Sequence, residues 1–175
     1  MPTKLLKLSS LAAILAITTL TVLPTAANAE RFRPGDQTIA EIAVTTPGFT
    51  TLVAALSCTD LVGAVADPDA ELTVFAPTDQ AFAALGLDAT NICGTFDTAT
   101  LTTILLYHVV GERRPSPSVI NGRNKSIEML AGGAIYPVGQ RSLTINANSS
   151  TANIVAADIL ASNGIIHVID YVLLP

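Results

Sequence analysis

Two histidines, two cysteines and a short acidic run are the residues here whose types could carry chemistry. His108 stands inside Leu105-Leu106-Tyr107-His108-Val109-Val110, and His167 inside Ile165-Ile166-His167-Val168-Ile169. Acid–base catalysis asks for an imidazole that can reach a reacting group, with an orienting partner. Each of these rings is set among aliphatic side chains instead, with about 60 residues between them. A neutral imidazole donates through one ring nitrogen and accepts through the other. Such surroundings predict histidines that tie strands to loops. The chain also lacks a Gly-x-Ser-x-Gly elbow, a His-Glu-x-x-His pair, a P-loop and a Gly-x-Gly-x-x-Gly turn, so it reads as a non-enzyme with no catalytic residue.

The cysteines Cys58 and Cys93 do not form a Cys-x-x-Cys pair with its depressed thiol pKa, and they bring too few ligands for a structural metal. In an oxidising compartment they most simply form one disulfide. Closing a loop of about 36 residues would stabilise the fold by about 3 to 4 kcal/mol. The acidic run Asp67-Pro68-Asp69-Ala70-Glu71, with Asp60 before it, offers oxygens that calcium accepts, but the twelve-residue loop with its glycine and terminal glutamate is missing. It reads as a solvated loop. Arg113-Arg114-Pro115 resembles a basic protease site and equally a surface turn. Asn124-Lys125-Ser126 and Asn148-Ser149-Ser150 match the N-glycosylation sequon, a short pattern with many chance hits.

The first 29 residues have the pattern of a secretory leader. Lys4 and Lys7 precede a mostly apolar stretch from Leu11 to Leu23, and Ala27-Asn28-Ala29 is a small-x-small cleavage site. The stretch is too short to span a bilayer comfortably, which takes about 20 residues. Removing 29 of 175 residues leaves 146, enough for one domain with a substantial core. Seven basic residues then face fourteen acidic ones, a net charge of −7. The arginines are scattered, so no basic stripe exists to bind a phosphate backbone, and nucleic acid is excluded as a partner. The expected location is outside the cytoplasm, extracellular or periplasmic, without a membrane span.

These residues must be positioned by elements that can be read along the chain. Residues 30–37 are polar and read as a flexible arm. Ile39, Ile42 and Ala43 recur at helical spacing until Thr46-Pro47. A second helix is expected from about Pro47, with Phe49, Leu52, Val53 and Leu56 on its apolar face. A third runs from Leu61 to Ala66. Leu72–Phe75 reads as a buried strand, Thr78 caps a helix through Leu85, and Asp97 caps Thr98–Tyr107. Beyond His108, short β-branched runs stand at Ser126–Met129, Ile135–Val138, Leu143–Asn146, Ile154–Ala157 and Ile165–Val172, separated by Gly, Asn and Pro turns that include Asn163-Gly164. Helices first and strands second argue for an α+β domain.

Three of these segments, in order, resemble the boxes of a fasciclin domain. They are Leu72-Thr73-Val74-Phe75-Ala76-Pro77-Thr78-Asp79-Gln80-Ala81-Phe82, the Tyr107-His108 pair, and Ala161-Ser162-Asn163-Gly164-Ile165-Ile166-His167-Val168-Ile169-Asp170. The resemblance covers residues 38–175 and implies a wedge of β-strands with helices packed on one side. It implies a secreted module for adhesion or protein interaction, whose partner is a cell-surface or matrix protein or a glycan. The positions that the family links to partner binding correspond to Tyr107, His108, Asp158 and Ile159.

A second branch of the same resemblance is to water-soluble carriers of an apolar ligand such as a carotenoid. A carrier needs a long apolar groove, because burying polyene surface yields about 25 cal/mol per Å². Ile42, Phe49, Leu52, Val53 and Leu56, with Ile166 opposite, are the residues expected to line it. The same side chains would equally serve as plain core.

Overall fold

The computed structural model describes residues 35–120, 126–138 and 144–175. The leader, residues 30–34 of the arm, Asn124 and Lys125 of the first sequon and Leu143 at the start of an expected strand lie outside them. Helix α1 (Ile39–Thr45) begins where Thr38 and Glu41 satisfy each other's backbone. The Thr38 N–H donates to the Glu41 carboxylate at 2.7 Å, and the Thr38 hydroxyl accepts from the Glu41 N–H. Helix α2 (Thr50–Cys58) starts three residues later than the sequence suggests. Gly48 takes φ of +97°, so Pro47 belongs to a turn and not to a first helical turn. Short α3 (Val62–Ala66) leads to strand β1 (Leu72–Pro77), and Thr78 caps α4 (Asp79–Ala83). Then come α5 (Ile92–Thr95), the Asp97-capped α6 (Thr98–Leu106), the two-residue strand β2 (Val109–Val110) and α7 (Ser116–Ile120).

The rest is strand: β3 (Ile127–Glu128), β4 (Ala134–Val138), β5 (Thr144–Asn146), β6 (Thr151–Ala161) and β7 (Gly164–Ile169). They join β1 and β2 in a seven-stranded sheet of order β2-β1-β7-β6-β5-β4-β3, in which only β1 and β7 run parallel. The α+β class expected from the sequence holds. Strand β6 is longer than the Ile154–Ala157 run because it carries bulges between Ile154 and Ile159 that interrupt the alternation.

Successive side chains of a strand point to opposite faces. Val74 and Ala76 of β1, with Ile166 and Val168 of β7, therefore join the helices in one core, while Phe75 and Ile169 point into another. Both faces of β1 and β7 are covered, which explains why each reads as an unbroken apolar run. The second core takes Ile127 from β3, Ile135 from β4, Ile145 from β5 and Val110 from β2. Strands at opposite edges of the sheet share one interior, so the sheet curls nearly into a barrel. A backbone bond from the Leu130 N–H to the Val109 carbonyl, 2.8 Å, spans the gap between those edges. Outside the barrel, Cys58 at the end of α2 is bonded to Cys93 in α5, with Cα atoms 5.9 Å apart, as the sequence led us to expect.

Candidate functional site

The two histidines organise the polar interior. His108 follows α6 and is buried. Its Nδ1 lies 2.7 Å from the Ile104 carbonyl, which can only accept, so Nδ1 carries the proton. Nε2 is then free to accept from the Leu173 N–H at 2.9 Å. One neutral ring thus joins the end of α6 to the segment after β7. Burial pushes its pKa from 6.5 down to about 4, against the pull of the Ile104 carbonyl toward the charged form.

His167, on β7, has the opposite tautomer. Nε2 donates to the Arg114 carbonyl at 2.9 Å, and Nδ1 accepts from the Asp158 N–H at 3.3 Å. Its ring lies beside Phe75, with centroids 5.5 Å apart. Burial lowers its pKa too, opposed by the Arg114 carbonyl and the Asp158 charge. Around it the 112–116 segment is pinned to the sheet. The buried Thr73 hydroxyl accepts from the Arg114 N–H at 2.8 Å and donates to the Glu112 carbonyl at 2.6 Å. The Arg113 guanidinium donates to the Ser162 carbonyl. Arg113-Arg114-Pro115 is a structural strap, with both arginines committed to it.

This wiring predicts a pH dependence. Above pH 6.5 His108 is neutral whether the chain is folded or not. As pH falls from 6.5 toward 4 the unfolded chain takes up a proton that the native state refuses, so stability declines. The loss levels off below the folded pKa at about 3 kcal/mol. Urea unfolding at pH 7, 5 and 4 checks this. A His108→Leu chain should be weaker at pH 7 but show a smaller decline over the same interval, and equal declines would remove His108 as the cause.

Of the residues expected to meet a partner, Tyr107 and His108 are buried. The Tyr107 ring fills the barrel, with its hydroxyl donating to the Ala134 carbonyl at 3.1 Å. Asp158 and Ile159 lie at the bulge of β6, Asp158 exposed and Ile159 half-buried against the helical core. Asp158 has φ of +58°, a left-handed conformation. Its carboxylate accepts from the Ser116 N–H at 2.7 Å and from the Ser116 hydroxyl. The four residues therefore fall at two places, one interior and one at the surface. Leu160 beside the bulge and Val155 on the same strand are exposed apolar side chains that the sequence reading did not single out.

The residues expected to line an apolar groove converge only in part. Phe49, Leu52, Leu56 and Ile166 surround an interior cavity with Val74, Leu105 and His108, whereas Ile42 and Val53 do not line it. The cavity is about 20 Å³, room for roughly one water-sized molecule. Both nitrogens of His108 are already bonded, so its wall is effectively apolar. A polyene would fit only if α1 and α2 moved away from β1 and β7.

Two positions whose sequence signals a turn have a further role. The side chain of Asn163 is fully buried and bonds to three backbone groups, and Gly164 opens β7 instead of completing the turn. An amide next to an apolar run was the available signal. Among the described residues no group of three or more His, Cys, Asp or Glu converges on a metal position, and no helix is long and apolar enough to cross a membrane.

Comparison with known proteins adds three findings. The family model for the fasciclin domain matches residues 47–175. Protein sll1483 of the cyanobacterium Synechocystis is 39% identical over 140 residues, 79% of this chain and 73% of that protein, and the immunogenic protein MPB70 of Mycobacterium bovis is 32% identical over 143 residues, 78% of this chain and 68% of that one. Among solved structures, a FAS1 domain pair from the insect cell adhesion molecule fasciclin I superposes with a TM-score of 0.71 at 18% identity, covering 81% of this chain and 52% of the pair.

Proposed function

The chain belongs to the fasciclin domain family, and we propose that it is a non-enzymatic interaction module that works outside the cytoplasm, holding a cell-surface or matrix partner. One observation carries this reading: both histidines, the groups best suited to chemistry, are neutral, buried and bonded at both ring nitrogens to backbone. What the molecule offers to its surroundings is surface. The insect neighbour, described as a cell adhesion molecule, supports the adhesive sense of that surface.

The partner-binding face in this reading is the bulge of β6, where Asp158 and Ile159 sit with Leu160 beside them. Tyr107 and His108 act from inside, holding α6 and the post-β7 segment in place behind it. Asp158→Ala is a poor probe, because it also uncaps α7. Leu160→Asp changes an exposed side chain, 46% accessible, with no bond to lose. Beads coated with the wild type should attach to cell-envelope fragments, and Leu160→Asp beads should attach at least about tenfold less at unchanged thermal stability, a loss of about 1.4 kcal/mol. Equal attachment would remove this face from the role, and no attachment by the wild type would remove the adhesive reading. The carrier reading ranks second, because the cavity that its residues share is far smaller than a polyene.

A further inference from the structure

At the β4–β3 end of the sheet a different opening lies between the β3–β4 hairpin and the turn after β5. It is a surface cleft of about 380 Å³, lined by Ser126, Glu128, Gly132, Gly133, Tyr136 and Asn148, within the range of about 300–1,000 Å³ usual for small-molecule sites. Gly132 and Gly133 both have left-handed φ, +81° and +78°, and turn the hairpin tightly. A Cβ on Gly132 would meet nothing within 4 Å, so the floor there is bare backbone. Tyr136 presents its ring at 49% exposure on one wall. Ser126, Glu128 and Asn148, all exposed, line the same cleft with a hydroxyl, a carboxylate and an amide. Among the described residues none of the three makes a side-chain hydrogen bond or ion pair within the chain.

The geometry points to a binding site for a neutral sugar, one or two rings at the end of a glycan. An aromatic face with a negative quadrupole attracts the slightly positive C–H groups on the flat face of a pyranose. A carboxylate and an amide close together can accept from and donate to neighbouring ring hydroxyls, and a hydroxyl adds both capacities. Among the described residues the lining includes no cationic side chain, and the chain is acidic overall, at −5, so phosphates, sulfates and uronic acids are disfavoured. It also lacks the continuous apolar lining that a lipid needs. A peptide strand would gain little, since the adjoining edge strand β3 is two residues long.

The site is separate from the β6 bulge and does not depend on it. Isotope-labelled protein titrated with cellotriose, maltotriose and mannotriose up to about 20 mM, where millimolar binding saturates, tests it through backbone amide shifts. At least one sugar should move the amides of Gly132, Gly133 and Asn148 saturably. Tyr136→Ala should weaken that binding about tenfold, and Asn148→Ala should also weaken it. Val155→Ala, on exposed β6, should leave it unchanged. No saturable shift with any of the three sugars, or equal binding by Tyr136→Ala, overturns the assignment. Either result leaves the Leu160 attachment experiment as it stands, so the two proposals fail separately.

Discussion

Replacing Gly164 by alanine is expected to cost more than about 4 kcal/mol, the range reserved for mutations that break packing outright, and to leave little folded protein. The cause is distance and not backbone freedom, since Gly164 does not hold a left-handed φ. It pairs with Leu72 where β1 and β7 meet in parallel. A Cβ there would fall well inside contact with the Leu72 carbonyl oxygen, 3.0 Å from its carbon and 2.7 Å from Cδ1 of Ile39. The isoleucine could rotate away, but the carbonyl belongs to a central strand and cannot. Relief requires β1 and β7 to part at the point where the Leu72 N–H also bonds the Asn163 carbonyl, 3.1 Å. The same change at Gly63 in α3 or Gly94 in α5 meets nothing within 4 Å. There alanine should be neutral or stabilise by up to about 1 kcal/mol through helix propensity. Urea midpoints of the three variants give the comparison, and a wild-type midpoint for Gly164→Ala would show that the strands yield more easily than a packed sheet should.

Gly164 also shows what a sequence can and cannot tell. Asn-Gly after β-branched residues is a turn signal, and a turn does lie there, yet its two residues are Ser162 and Asn163, because Ala161 pairs with Gly164. The pattern locates the chain reversal but shifts it by one, since a glycine needed for close approach looks the same as one needed for positive φ. Local rules did well elsewhere. Thr78 and Asp97 cap the helices that follow them, and the burial of β1 and β7 is visible in their apolar runs. What escaped was contact between distant segments. The cap of α2 comes from Asp79, whose carboxylate accepts from the Thr51 N–H at 2.8 Å and from the Thr50 N–H across 29 positions of chain. No window of sequence around Thr50 contains that information. Asp158 escaped for the same reason: its left-handed bulge is stabilised by Ser116, 42 residues away. The setting of His108 among aliphatic side chains is legible in the sequence, whereas the exposure of Asp158 at its bulge, which depends on that distant serine, is not.

Asn163→Ala should destabilise the protein by about 4 kcal/mol at pH 7. The side-chain amide donates to the carbonyls of Val65 and Asp67 at 3.0 and 2.8 Å and accepts from the Ile39 N–H at 2.9 Å. It therefore fastens the start of α1 and the end of α3 to the β6–β7 turn. Alanine takes the side-chain partner from the Ile39 N–H and the Val65 carbonyl and leaves the Asp67 carbonyl with only the Ala70 N–H at 3.3 Å, each lost bond costing about 1 to 3 kcal/mol where water cannot replace it. Asn163→Asp separates this hydrogen-bonding account from simple loss of volume, because it keeps the shape and the acceptor. At pH 7 it places a carboxylate oxygen against two carbonyl oxygens, so it should be at least as damaging as alanine. Burial and those carbonyls favour the protonated acid, which can donate one bond again. Relative to wild type at each pH, the deficit of Asn163→Asp should narrow as pH falls toward 4, whereas that of Asn163→Ala should stay constant. Denaturation of the three proteins across that range reads the difference. A pH-independent deficit for the aspartate would mean that the site admits water, and that the amide acts by filling space instead of by joining three segments through their backbones.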